Sequence, residues 1–310
     1  MSSIWVFPGQ GAQKPNMLHD LPQTTSVHQY FERASTILGQ DVLLLDQQEA
    51  LQSTYAVQLC LYIAGVVSGH LLSEQQLKPD YVAGLSIGAW AAATVAEVLS
   101  FEDGLKLVAR RATLMQDAYP TGYGMTALIG ADKSSVSEWV KEVQQYQPEV
   151  YVANINSANQ IVISGADIAM QQVADIARQK GVLGKKLNVA VPSHCALLKQ
   201  QAEILDAEVK KVGTSSPKIR YLSGTTARQL VHQDQIIDDI TFNMSRMIDW
   251  ESTVQSAWER GVRLHIEAWS GTVLTGLAKK IFTDGTVMSF QGTRLDTLIV
   301  EMQREHAHTF

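Results

Sequence analysis

The strongest constraint on the fold lies between residues 81 and 99. A short apolar run, Tyr81-Val82-Ala83-Gly84, leads into Gly84-Leu85-Ser86-Ile87-Gly88 and then into an alanine-rich stretch that reaches Leu99. This order predicts a buried strand, a sharp turn and a helix, which is a building unit of α/β proteins. Glycines on both sides of Ser86 permit a strained turn that presents the hydroxyl outward, as a nucleophile requires. The same position is also favourable for a serine that only caps the helix.

Other apolar segments extend this pattern into an α/β core. Residues 4–7 form a short apolar run that ends at Pro8-Gly9, which predicts a strand followed by a loop at the sheet edge. An apolar helix is expected at about residues 54–72, and an amphipathic helix from Phe101 to Ala118. We therefore expect a hydrolase-like core with a mainly parallel sheet, formed by residues 1–123 and 192–310.

The pattern of predicted strands and helices changes between residues 124 and 191. The patterns predict, in order, strand 125–129, helix 134–146, strands 150–154 and 160–164, helix 167–180 and strand 186–191. This β-α-β-β-α-β order is typical of a ferredoxin-like unit. We therefore expect residues 124–191 to form a small subdomain inserted into the core.

Composition narrows the function classes. The 310 residues are 45% hydrophobic, and 25 basic against 31 acidic residues give a net charge of -6. This balance argues against nucleic acid as the main partner, because phosphate binding needs a strong positive field. Cys60 and Cys195 are far apart and form no cysteine or histidine cluster, so neither a disulfide framework nor a metal site is predicted.

The sequence also predicts a cytoplasmic protein. The first eight residues lack a basic segment followed by a long apolar run, so they do not resemble a signal peptide. The apolar stretch from Tyr55 to Leu72 contains Gln58 and His70 and has no basic flanks, which favours a buried core helix over a membrane span.

A serine nucleophile needs a base, and His194 is the best candidate among eight histidines. It follows a predicted strand within the rigid segment Val191-Pro192-Ser193-His194-Cys195. A lone histidine in such a place is equally compatible with a structural role.

Arg111 lies on the apolar stripe of the helix 101–118, with Leu107, Val108, Leu114 and Met115 at helical spacing. An inward-facing guanidinium is costly unless it meets an anion, and its planar fork matches a carboxylate. The anion could belong to a substrate or to another residue of the chain, as an internal salt bridge.

Two further segments can contribute to a site. The loop Phe7-Pro8-Gly9-Gln10-Gly11-Ala12-Gln13 contains two glycines that let backbone N–H groups point into a pocket, although it could equally be a tight surface turn. Asn154 and Asn156 alternate along a predicted strand and so share one face, where they could line a cleft or cap a turn.

Together these motifs resemble the malonyl-CoA:acyl-carrier-protein transacylase family. The likeness rests on residues 7–13, Gly84-x-Ser86-x-Gly88, Arg111 in the segment 111–116, Asn154-Ile155-Asn156 and Pro192-Ser193-His194-Cys195, and it extends to Val273-Leu274-Thr275-Gly276-Leu277. It therefore covers nearly the whole chain. Five motifs in the same order are far more specific than any one of them.

The resemblance implies a role for each of these residues. Ser86 would be acylated, His194 would be its base, and the backbone N–H groups of Gln10 and Ile87 would hold the oxyanion. Arg111 would bind the free carboxylate of the malonyl group, with Asn154 and Asn156 nearby as substrate-binding residues. In this family the other histidine nitrogen is held by a group just before a tryptophan, which implies Asp249 in Ile248-Asp249-Trp250.

The resemblance also implies the substrates. Malonyl-CoA would donate the acyl group, the thiol arm of an acyl carrier protein would accept it, and no permanently bound cofactor is expected. A thioesterase or esterase remains the rival chemistry, because a G-x-S-x-G site that admits water hydrolyses its acyl-enzyme.

The sequence departs from the family at two positions. Leu85 stands where the family has a histidine before the nucleophile, and Ala89 stands where it has an acidic or amide residue. The segment around Ser86 with these two residues is similar to the epsilon subunit of bacterial malonate decarboxylase. Two further segments share this similarity, Tyr123-Gly124-Met125-Thr126-Ala127 and Phe290-Gln291-Gly292. The acceptor would then be the decarboxylase carrier subunit with its dephospho-CoA-type thiol. The alternative acceptor is the phosphopantetheine-type carrier of fatty-acid synthesis.

Overall fold

The computed structural model describes residues 2–74 and 77–307, which form two sheets and eleven helices within those ranges. The larger sheet has the strand order β11-β10-β1-β2-β7-β8 and is parallel except for β8. Its strands are β1 (Ser2–Phe7), β2 (Tyr81–Gly84), β7 (Arg220–Leu222), β8 (Gln229–Leu230), β10 (Val262–Glu267) and β11 (Thr286–Ser289). The expected hydrolase-like, mainly parallel core is confirmed.

The smaller sheet has the order β6-β3-β5-β4-β9. Its strands are β3 (Tyr123–Ile129), β4 (Val150–Ser157), β5 (Gln160–Ala166), β6 (Leu183–Lys186) and β9 (Ile248–Asp249). The first four of these strands pair antiparallel in the arrangement of a ferredoxin-like unit, whereas β9 comes from a later part of the chain and pairs parallel to β4. The two sheets are thus connected through the segment that carries β9.

Helices cover the sheets. They are α1 (Thr25–Leu38), α2 (Thr54–Ser73), α3 (Gly88–Val95), α4 (Phe101–Ala118), α5 (Lys133–Gln144), α6 (Asp167–Gln179), α7 (Lys199–Val209), α8 (Gln233–Phe242), α9 (Trp250–Glu259), α10 (Val273–Ala278) and α11 (Leu295–Ala307). Helix α4 has the predicted bounds, because Ser100 caps its first turn by accepting a hydrogen bond from the backbone N–H of Asp103.

Helix α2 is the central helix of the core. It is long and apolar enough to cross a membrane, but 89% of its most apolar window is buried inside the protein. Its buried residues pack with those of α3, α4 and β1 in the largest hydrophobic cluster. This agrees with the prediction of a core helix.

Two predicted elements need correction. The strand expected at 186–191 lies instead at Leu183–Lys186, because this is an exposed edge strand whose residues carry no apolar alternation. The apolar side chains that follow it belong to an extended segment that returns to the core. The helix expected to reach Leu99 ends at Val95, since Glu97 adopts a left-handed conformation with φ 62°.

Candidate active site

Ser86 occupies the sharp turn between β2 and α3. Its φ of 57° lies in the left-handed region, which a serine adopts only when the surrounding structure imposes it. The turn is tied to the neighbouring strand by a hydrogen bond of 3.0 Å from the Leu85 N–H to the Phe7 carbonyl. The side chain is 8% exposed and faces a cavity.

The glycines of this turn are required by close backbone contacts. A Cβ on Gly88 would lie 2.0 Å from the carbonyl oxygen of Phe7, and one on Gly84 would lie 2.1 Å from the carbonyl carbon of Gly88. Since real Cβ atoms do not approach backbone atoms this closely, larger residues would force the strand and helix apart. The G-x-S-x-G pattern therefore has a steric basis here.

The cavity has a volume of about 570 Å³ and lies between the two sheets. The loop Pro8–Gln13 and helix α10 contribute one part of its lining, and strands β3, β4 and β5 of the smaller sheet contribute another. Gln10, Ser86, Asn154, Asn156 and His194 all line it. The structure thus brings together five of the residues that the sequence indicated.

His194 is 3% exposed and adopts a φ of 65°. Its Nδ1–H donates a hydrogen bond of 2.6 Å to the backbone carbonyl of Asn243, and its own N–H donates to the carbonyl of Met244 at 2.7 Å. Because a carbonyl only accepts, the neutral ring carries its proton on Nδ1 and keeps Nε2 free to accept one. Burial, followed by the charge of Arg111, lowers the pKa of His194 to about 4, so the ring is neutral at pH 7.

Arg111 is fully buried on α4. Its guanidinium donates to Oε1 of Gln58 at 2.5 Å and to Oδ1 of Asn243 at 3.1 Å, while its Nε has no partner in the part of the chain that the structure describes. Burial lowers the pKa of Arg111 to about 9, so it is still charged at neutral pH. Within residues 2–74 and 77–307 it forms no ion pair with a carboxylate, so the internal salt bridge considered from the sequence is absent there.

Asn243 connects these groups. Its Oδ1 accepts from Arg111, its Nδ2 donates to the backbone carbonyl of Ser86 at 3.0 Å, and its own carbonyl accepts from His194. The residue is 1% exposed. Every polar atom of Asn243 named here is therefore bonded to a different part of the site.

Gln10 and Ile87 each contribute a backbone N–H group to the segments around Ser86. Gln10 lies in the loop that lines the cavity, and Ile87 directly follows the serine at the start of α3. Neither N–H has a hydrogen-bond partner among the described residues. Free donors beside a nucleophile are what an oxyanion hole needs.

Asn154 and Asn156 lie on β4, as expected. Their Oδ1 atoms are buried and have no partner within the described residues, and both side chains line the cavity. Buried amide oxygens normally accept a hydrogen bond. These two Oδ1 atoms have none within the described residues, so each can accept one from a bound ligand.

The expectation for Asp249 is wrong. Its carboxylate accepts a hydrogen bond from the Ser252 N–H and so caps α9, and its backbone carbonyl accepts from the Thr253 hydroxyl. The carbonyl that holds His194 belongs to Asn243, six residues earlier, at the start of the 3₁₀ turn Asn243–Ser245. An aspartate just before a helix is a favourable cap, which gives it a structural purpose.

Sequence reasoning also missed Asn243 and Gln58 as partners of Arg111. Gln58 carried a usable signal, because a single amide in an otherwise apolar helix must find a partner when it is buried. Asn243 carried none, since it follows a short helix in a segment without clear periodicity.

Comparisons with known proteins define the class of this chain. Residues 4–310 match the family model for the acyl transferase domain. The chain belongs to this family, and within it to the malonyl CoA-acyl carrier protein transacylases. It is 36% identical over 287 residues to the malonyl CoA-acyl carrier protein transacylase of Haemophilus influenzae, a match that covers 90% of this chain and 92% of the relative. The Escherichia coli K12 protein of the same name is 34% identical over 284 residues, which cover 89% and 92% of the two chains.

Solved structures agree with this assignment. The crystal structure of FabD from Acinetobacter baumannii superposes with a TM-score of 0.93 at 31% identity and covers 98% of this chain and 99% of its own. A malonyl-transacylase solved in complex with its type II PKS acyl-carrier protein superposes with a TM-score of 0.90 at 32% identity, over 97% and 99% of the chains.

Proposed function

We propose that this protein transfers a malonyl group from malonyl-CoA to the thiol arm of an acyl carrier protein through an acyl-serine intermediate. The observation that carries the proposal is Arg111, a buried guanidinium without a carboxylate partner that lies one side chain away from Ser86. A buried, unneutralised cation is costly, so its position favours a site for an anionic group on the substrate. Malonyl has such a group and acetyl does not.

The first half-reaction acylates the serine. Oγ of Ser86 attacks the thioester carbonyl while Nε2 of His194 takes its proton, and the N–H groups of Gln10 and Ile87 hold the oxyanion. The tetrahedral intermediate then collapses, the carbon–sulfur bond breaks, and the CoA thiolate leaves with the proton from His194. The free malonyl carboxylate pairs with Arg111, and the amides of Asn154 and Asn156 bind polar parts of the substrate.

The second half-reaction regenerates the enzyme. The carrier thiol gives its proton to His194 and attacks the acyl-serine, and Ser86 recovers the proton as the malonyl thioester leaves. The cavity between the core and the ferredoxin-like sheet suits entry of a long thiol arm from either CoA or the carrier. We propose that residues 1–123 and 192–310 act as the core and residues 124–191 as the subdomain that closes this cleft.

We further propose that the natural acceptor is the carrier subunit of a malonate decarboxylase. Leu85 and Ala89 support this choice, because they replace polar residues beside the nucleophile; Leu85 lines the cavity and Ala89 is buried. An apolar Leu85 offers the acyl group no hydrogen bond, so malonyl selectivity rests more heavily on Arg111.

The site of action is proposed to be the cytoplasm. Malonyl-CoA and the carrier protein as substrates fit this location, and so do the two buried cysteines, which form no disulfide.

Competition between two carrier proteins tests the acceptor. The acyl-enzyme is mixed with equal concentrations of a decarboxylase carrier bearing its dephospho-CoA-type arm and a fatty-acid carrier bearing phosphopantetheine. We expect faster transfer to the decarboxylase carrier. Faster transfer to the fatty-acid carrier would assign the protein to fatty-acid synthesis instead, with the same chemistry.

A further inference from the structure

Asn243 joins three parts of the site into one hydrogen-bonded unit. Its side-chain amide lies between the guanidinium of Arg111 and the backbone carbonyl of Ser86, with contacts of 3.1 and 3.0 Å, and its main chain holds the ring of His194 at 2.6 Å. An amide bonded at both ends cannot rotate freely. The distance between Arg111 and His194 is therefore fixed through a single residue.

The charge of Arg111 acts on His194. After burial, this cation is the main influence that lowers the pKa of the ring, whereas backbone groups of Asn243 and Arg246 raise it. The adjacent titratable side chain, Cys195, donates its Sγ–H to the Pro192 carbonyl, and burial raises its pKa, so it is uncharged. Arg111 is thus a charged side chain that acts directly on the base.

We propose that Asn243 is a positioning residue that makes His194 respond to the presence of an acyl carboxylate on Arg111. This inference rests on the proposed function and deepens it. A malonyl carboxylate neutralises Arg111, so the base is no longer opposed by a nearby cation and accepts the serine proton more readily. An acetyl group leaves Arg111 unpaired and the base weak. Discrimination would then act on the rate of acylation as well as on binding.

The wild-type protein provides the first test. Acylation of Ser86 is measured by rapid quench and intact mass at saturating malonyl-CoA and acetyl-CoA across pH 4 to 8. When the malonyl carboxylate pairs with Arg111, the guanidinium no longer lowers the pKa of His194. The acid limb of the rate profile should therefore lie at higher pH for malonyl than for acetyl. Coinciding limbs would overturn the proposal, and this comparison needs no variant to fold.

Asn243→Asp tests the positioning residue itself. The new carboxylate pairs with Arg111 whichever substrate is bound, while the backbone carbonyl that holds His194 is kept. The carboxylate cannot donate to the Ser86 carbonyl as Nδ2 does, and this loss should slow acylation equally with both substrates, so the rate ratio and the acid limbs are the readouts. We expect the two acid limbs to coincide and the malonyl-to-acetyl ratio of acylation rates to fall about tenfold. The matched control is Asn159→Asp, an exposed asparagine on the β4–β5 turn, which should leave both the ratio and the limbs unchanged.

The outcomes separate this inference from the function on which it rests. In Asn243→Asp, the acylation rate could fall equally with both substrates while the acid limbs of the two pH profiles stay apart. That result would show a merely structural role and overturn the inference. No malonyl adduct in the wild-type protein would instead overturn the proposed function. A folded Asn243→Asp protein is established beforehand by its thermal transition.

Discussion

The ring of His194 is held by the main chain of Asn243 rather than by a carboxylate. The Nδ1–H donates to the Asn243 carbonyl over 2.6 Å, in a site where the histidine is almost fully buried. A neutral carbonyl fixes the tautomer that a general base needs but adds no negative charge to stabilise the imidazolium. The base therefore depends more strongly on the other charges in the site, of which Arg111 is the nearest in the hydrogen-bonded network.

Replacing Arg111 by alanine should change the substrate preference. The variant loses the charge-assisted contact with the malonyl carboxylate, so the preference for malonyl over acetyl should fall by about 2–4 kcal/mol. The measurement is the ratio of kcat/KM for the two acyl-CoA substrates. Arg111→Lys keeps the charge without the planar fork and should recover part of the preference. Unchanged discrimination in Arg111→Ala would contradict the assigned role.

Gly88→Ala should abolish acylation and destabilise the fold. The added Cβ would lie 2.0 Å from the Phe7 carbonyl oxygen, so β1 and α3 must separate and displace Ser86. Thermal denaturation and the acylation rate report the two effects. Gly276→Ala is the matched control, because a Cβ there meets nothing within 4 Å, and its transition and activity should stay near those of the wild type. Normal acylation by Gly88→Ala would refute the steric account of this turn.

Stability should fall in mild acid through His265. This residue on β10 is fully buried, both ring nitrogens lack partners in the described part of the chain, and burial lowers its pKa to about 4. The unfolded chain binds the proton near pH 6.5, so the free energy of unfolding is fully retained above that pH and declines as the pH falls toward 4. The contribution lost at pH 4 is about 3 kcal/mol.

His265→Leu should reduce this decline by about half, because the variant keeps His194, whose buried ring also has a pKa of about 4 and contributes a similar loss. Urea denaturation at several pH values between 4 and 7 measures the effect. His28→Leu, at an exposed position on α1, is the control and should keep the wild-type pH dependence. An equally steep decline in His265→Leu would show that other groups cause the acid sensitivity.

Much of the fold could be predicted because its signals are local. The bounds of α4 follow from a capping serine and a regular apolar stripe, and β2 spans the predicted residues because it is an apolar run in the core. The position of the edge strand β6 cannot be predicted from its own sequence, because its exposed residues carry no apolar pattern and its place is fixed by pairing with β3. Pairing between distant segments cannot be read from the residues of one strand.

The residues of the site also divide into those with a local sequence signal and those placed by packing between distant segments. Ser86 and Arg111 could be found from a glycine pattern and from helical spacing, which are properties of a few neighbouring residues. Asn243 could not, because its contacts with residues 86, 111 and 194 depend on how separate elements pack. The family resemblance implies Asp249 from its place before a tryptophan, but its backbone and side chain serve the first turn of α9.

Intact-mass analysis after brief mixing with malonyl-CoA tests the central claim most directly. The account predicts a malonyl-sized increase in the wild-type protein that is absent in Ser86→Ala, weak with acetyl-CoA, and lost when a carrier thiol is added. An adduct of equal size and yield in Ser86→Ala, or rapid CoA release without an adduct or an acceptor, would contradict it.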